Sequence, residues 1–196
     1  FMTASIADGG LNYSNISASA IYGIYASSVY LLALPGGWIG DRILGQQKAI
    51  FYGGIIITLG HFILAINFTS AFFFGLTFVI LGTGLLKPNI SALVGELYEK
   101  KEELKQSGFT LFYMAINIGS VLGFFICGYL GEKIGWHYGF SAAGFGMALG
   151  IIRYKYSLPI LGNVGLKPNL QITHSERRRD IRLIILSLVI ICSILL

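Results

Sequence analysis

The sequence predicts an all-α, polytopic membrane protein, and three observations lead there. Of 196 residues, 55% are hydrophobic and only 12% are charged, against about 25% charged in soluble domains. The charges are clumped, and between the clumps lie apolar runs of the roughly 17–25 residues that a membrane-crossing helix needs. So little polar sequence cannot cover so much apolar surface, which excludes a soluble core.

Taken in order, residues 1–7 (FMTASIA) are apolar but too short to span, and are expected as the tail of a helix. Five spans follow, at about 17–39, 49–66, 71–94, 109–130 and 136–152. A sixth apolar run, 181–196, stops before any polar exit. Residues 153–180, with two prolines and the run ERRRD, are expected as a linker on the cytoplasmic side, solvated or acting as a hinge between helix bundles. The expected organisation is thus a bundle over 1–152, a linker over 153–180 and the start of a further helix over 181–196, an internal piece of a longer protein.

Basic residues set the orientation. Arg42 and Lys48 lie between the first two spans, and Lys100, Lys101 and Lys105 between the third and fourth. Arg153, Lys155, Lys167, Arg177, Arg178, Arg179 and Arg182 follow the fifth. These connections alternate with ones holding only Lys133, so they mark the cytoplasmic side. The same distribution explains the net charge of +5 and makes nucleic acid an unneeded partner; the partner is the lipid bilayer. Cys127 and Cys192 sit in apolar runs and read as small buried hydrophobes. Gly36/Gly40, Gly119/Gly123 and Gly146/Gly150 form small-xxx-small pairs that let helices approach closely in lipid. His61, mid-span, reads as a packing histidine with a hydrogen bond rather than a proton relay.

Lys87 does not fit its surroundings. It stands in an apolar run, followed at once by Pro88. Glu96, the next charge, is about 13 Å of helix away at roughly 1.5 Å per residue, so snorkelling is partial at best. A charge deep in lipid costs about 2.5–3.5 kcal/mol or more, so the ammonium is expected to meet water or a carboxylate. Thr83, Gly84, Lys87 and Ser91 share one stripe, and Pro88 is expected to kink the helix. Tyr113, Asn117 and Ser120 form a polar stripe in the fourth span, and Tyr22, Tyr25 and Tyr30 bring hydroxyls from the first. All nine carboxylates lie in loops or at span ends, so no counter-ion stands at the depth of Lys87. Two readings stand: a structural lysine in a wet crevice, or a cation that meets substrate or takes part in proton coupling. No nucleophile–base set and no metal-ligating cluster points to an enzyme.

Three stretches carry a family resemblance. GGWIGDRILGQQKA, 36–49, resembles motif A of the major facilitator superfamily, with Gly37, Asp41, Arg42 and Gly45 at the motif positions. GTGLLKPNISALVGELY, 82–98, is similar to the fourth-helix motif of the proton-dependent oligopeptide transporter family. FTLFYMAINIGSV, 109–121, resembles that family's fifth-helix signature, with Val121 a mild departure. The resemblance covers about 1–160 and implies the N-terminal six-helix bundle of the major facilitator fold, truncated at both ends. It further implies a plasma-membrane symporter (inner membrane in a bacterium) of di- and tripeptides working by alternating access, with protons as coupling ion and no cofactor. Lys87, Tyr30 and Asn117 would line the peptide site, Lys87 would also serve coupling, and Gly37, Asp41, Arg42 and Gly45 would form a cytoplasmic gate. The family's E-x-x-E-R motif of helix one and its C-terminal bundle are expected partners outside this chain. The alternatives are transport of another small anion such as nitrate, or an inactive fragment.

Overall fold

The computed structural model describes residues 1–168 together with 176, 179, 182 and 186. Over residues 1–168 the fold has five long helices: α1 (Asn15–Ile39), α2 (Gln46–Leu64), α3 (Thr69–Leu97), α4 (Glu102–Lys133) and α5 (Trp136–Leu161). Among the described residues, four stretches are long and apolar enough to cross a membrane, Asn15–Leu44, Gln46–Leu64, Thr69–Leu97 and Glu102–Lys133. The expected fifth span forms α5, which is long enough but diluted by His137, Ser141 and four glycines. It also runs past the expected end at Ile152 to Leu161 and stops at Gly162, whose φ of 58° breaks the helix. No glycine or proline interrupts 151–158, and Ser157 returns a hydrogen bond to the Arg153 carbonyl, so the helix continues. Of the expected linker, 169–175, 177, 178 and 180 fall outside the described residues, as does the expected run at 181–196 apart from 182 and 186.

Residues 1–7 are not the expected helix tail. They form turns and a short 3-10 helix, Ile6–Asp8, capped by the Ser5 hydroxyl. Gly9, at φ 73°, reverses the chain. The Asn12 amide then reaches the Ala4 carbonyl at 2.9 Å and the Tyr13 amide the Met2 carbonyl at 2.8 Å. These bonds occupy the carbonyls that a helix would use. The Phe1 ring meanwhile packs on Phe72, Trp136 and Phe140.

Helix α1 starts at Ser14, whose hydroxyl accepts from the Ser17 amide. It ends in a five-residue π-turn, Gly40–Leu44, which leads through Gly45 into α2. The helices pack in the order α1, α3, α2, α5, α4, with a slight contact between α3 and α4. Small residues make the central contacts. A Cβ on Gly53 would stand 2.9 Å from the Gly82 carbonyl oxygen, and one on Gly75 2.9 Å from that of Gly60. Gly54 sits under Ile151 of α5, and Gly139 of α5 lies on the Cys127 carbonyl of α4. Backbones this close replace the missing hydrophobic drive between helices in lipid with dispersion contacts.

Of the predicted glycine pairs, Gly36/Gly40 are packed, against Gly84 and Asn89 of α3. Gly119/Gly123 and Gly146/Gly150 meet nothing within 4 Å among the described residues. His61 packs beside Gly144, but among the described residues its Nδ1 lacks the expected hydrogen bond.

Candidate functional site

The seam between α1 and α3 places the first group of residues. Both helices run toward the end that carries Arg42, Lys48, Lys100, Lys101 and Lys105, called here the basic end. Gly36 faces Gly84, Gly37 faces Pro88 and Gly40 faces Asn89, which fixes the parallel register. By that register Trp38 and Ile39 are level with Lys87, and Tyr30 lies about two turns further from the basic end. The Lys87 ammonium nevertheless sits 4.4 Å from the centre of the Tyr30 ring. The lysine stem therefore points away from the basic end, along the direction that helical side chains favour. It does not snorkel toward Glu96. The ammonium rests on an aromatic face, a contact of about 0.5–1 kcal/mol where exposed. Both side chains are exposed, Tyr30 at 68%, and among the described residues no carboxylate pairs with Lys87.

The predicted stripe around Lys87 is only partly retained. Ser91 stays beside it and donates to the Lys87 carbonyl at 3.3 Å. Gly84 turns instead into the helix seam, under Leu32. Asn117 lies on α4, exposed, with its amide donating to the Tyr113 carbonyl at 2.9 Å. No described contact joins Asn117 to Lys87 or Tyr30, because α4 packs mainly on α5. It touches α3 near the basic end, where Gly108 lies under the Tyr98 ring.

The second group is the turn at the basic end. Gly45 adopts φ 80° and ψ 151°, and a Cβ there would stand 2.6 Å from the Leu166 carbonyl oxygen, so both backbone and space require glycine. The Arg42 guanidinium lies 5.7 Å from the centre of the Trp38 ring. Asp41 accepts from the Gln46 amide at 3.4 Å, and the same amide donates to Glu96 at 2.6 Å. One neutral donor thus bridges two carboxylates, and Gln46 is only 1% exposed.

Gln47 extends the network to the loop that follows α5. Its side-chain amide donates to the Gly162 carbonyl at 3.0 Å and the Val164 carbonyl at 2.7 Å. Its backbone amide donates to the Gly165 carbonyl at 2.9 Å, and the Tyr154 hydroxyl donates to the Gln47 carbonyl at 3.3 Å. Tyr154 stands between Arg153 and Lys155, beyond the apolar stretch that ends at Ile152. Burial pushes its phenol up to about 12, so it remains a donor across the physiological pH range.

Gln46, Gln47, Trp38 and Asn89 were not singled out from the sequence. The two glutamines were quoted with the turn, where amides at a helix start look like ordinary surface residues. The available signal was a pair of amides between a glycine turn and an apolar helix, a poor place for solvated side chains.

Comparison with known proteins matches this geometry. The POT family model matches residues 47–178. Peptide transporter YePEPT of Yersinia enterocolitica subsp. palearctica serotype O:3 (strain YE-P4) is 44% identical over 165 residues, covering 82% of this chain and 32% of that protein. A di-/tripeptide transporter of Lactococcus lactis subsp. lactis (strain IL1403) is 42% identical, covering 95% of this chain and 37% of that protein. Among solved structures, a crystal structure of peptide transporter POT in complex with sulfate superposes with a TM-score of 0.91 at 36% identity, covering 99% of this chain and 40% of that one. The chain thus spans about a third to two fifths of the length of these relatives. With a family model that matches well over half of the chain and a helix arrangement that superposes on that fold, the chain is part of a multi-pass membrane protein and belongs to the POT family.

Proposed function

We propose that this chain forms part of a proton-coupled symporter of di- and tripeptides that works by alternating access in the plasma membrane. The observation that supports it most is Lys87: an exposed, mid-helix ammonium lying on the Tyr30 ring, with no carboxylate partner among the described residues. Such a cation in a membrane protein needs a wet cavity and an anionic visitor. The relatives named as peptide and di-/tripeptide transporters favour a peptide as that visitor.

A dipeptide offers one carboxylate, one ammonium and one amide. In this reading Lys87 attracts the carboxylate, while Tyr30 and Asn117 offer hydrogen bonds that tolerate many side chains. A buried glutamate outside this chain competes for Lys87, and protonating it frees the lysine for substrate. The turn holding Gly37, Asp41, Arg42 and Gly45 is the cytoplasmic gate, with the basic end inside the cell.

The test is uptake of a labelled dipeptide into liposomes holding the full-length protein. Lys87→Ala is expected to abolish accumulation driven by an inward proton gradient. Wild-type accumulation by that variant would remove Lys87 from the mechanism, and nitrate uptake in place of dipeptide uptake would replace the substrate class.

A further inference from the structure

Asn89 is 1% exposed, in the middle of an apolar helix. Burying an amide is costly unless its groups are paired. Its Nδ2 makes two bonds, to the Leu85 carbonyl of its own helix at 2.7 Å and to the Gly36 carbonyl of α1 at 2.9 Å. Its Oδ1 lies against Gly40. Pro88, immediately before it, has no N–H, so the Gly84 carbonyl lacks its usual donor four residues on. That carbonyl faces the Cα of Gly36. Pro35 lies inside α1 beside Gly36, about one turn from the level of Pro88, and likewise has no N–H to donate. The seam therefore has a proline in each helix, and Asn89 makes the side-chain hydrogen bond across it among the described contacts between α1 and α3.

Two helices weakened within about one turn of each other can hinge there. What lies beyond the hinge is the Lys87–Tyr30 contact, one residue on α3 from Pro88 and five on α1 from Pro35. Changing the α1–α3 angle at that level would swing Tyr30 against Lys87. We infer that Asn89 is a positioning residue: its amide straps α3 to α1 across the proline level and so holds the Lys87 ammonium over the Tyr30 ring. The inference rests on the proposed substrate role of Lys87 only for its importance to transport. The contact itself can be measured without transport.

The experiment uses full-length protein in detergent with its lysines dimethylated by 13C-formaldehyde, a change that keeps their charge. Methyl groups above the Tyr30 ring are displaced upfield by its ring current. Tyr30→Ala assigns that resonance by abolishing the displacement. Asn89→Leu keeps bulk but removes the donor, and Asn89→Ala removes both. Strapping through the hydrogen bond predicts loss of the displacement in both. Retention in Asn89→Leu would mean that bulk alone sets the contact, and would overturn the inference. If Asn89→Leu fails to fold, Asn89→Met, of similar bulk and also without a donor, decides in its place. Leu93→Ala, also in buried α3 sequence, is expected to keep the displacement. Loss there would reduce Asn89 to a general packing role and equally overturn the inference. Dipeptide uptake measured alongside separates this outcome from failure of the transport reading: a lost displacement with unchanged uptake leaves Asn89 as a strap and shows that transport does not need the Lys87–Tyr30 contact.

Discussion

Gly36/Gly40, where α1 runs into its π-turn, and Gly119/Gly123 in α4 are the same motif in two membrane-length helices, yet they do different work. The first pair is pressed on the Gly84 carbonyl and the Asn89 side chain. The second meets nothing within 4 Å among the described residues. The first seam also holds a buried amide with an interhelical hydrogen bond, whereas among the described residues Asn117 and Ser120 of α4 bond only back to their own helix. A small-residue motif permits close packing; the partner surface decides whether it happens. Where no partner lies against them, polar groups satisfy themselves locally, as backbone carbonyls allow at four-residue spacing.

The contrast is open to mutation. Gly36→Ala should have the largest effect, since its Cβ would collide with backbone rather than a movable side chain. A loss of about 3 kcal/mol is expected from overpacking, read as a lower midpoint of thermal unfolding in detergent. An unchanged midpoint would break the contrast at its packed end. Gln47→Ala comes next. It strands the Gly162 and Val164 carbonyls and is expected to cost about 1–2 kcal/mol. Faster hydrogen exchange across 162–166, with α1 unaffected, is the measurement. Smallest is Gly119→Ala, which should stabilise by roughly 0.5–1 kcal/mol through helix propensity alone. A destabilisation would sharpen the comparison differently, by showing that in the assembled protein α4 carries a close contact at Gly119.

Much of the fold was legible. Four of the predicted spans match membrane-length helices within two or three residues at the ends away from the basic end, because apolar run length is a one-dimensional property. The end of α5 was not legible, since Arg153 and Lys155 suggested a polar exit while a helix tolerates both on its solvent side. Residues 1–7 misled for the opposite reason: their composition suits a helix, but the Gly9 reversal supplies competing hydrogen bonds. In the site, Lys87 was conspicuous because a charge in an apolar run is costly wherever it points. Its contact with Tyr30 was not, as the two are 57 positions apart in the chain. The Gln46 bridge to Glu96, across 50 positions, was hidden in the same way. Gly84 and Ser91 share a stripe with Lys87, yet one is buried under Leu32 and the other is not.

By itself the sequence determined the class of solvent, the helices, their alternation of direction and the presence of an unusual cation. Each follows from the transfer cost of residues taken singly or in runs. Tertiary structure alone decided which glycines touch a neighbour, which way Lys87 points, and that Asn89 and Gln46 are buried. Those are properties of pairs brought together from distant segments, and the energy of a pair depends on a register that no single segment contains.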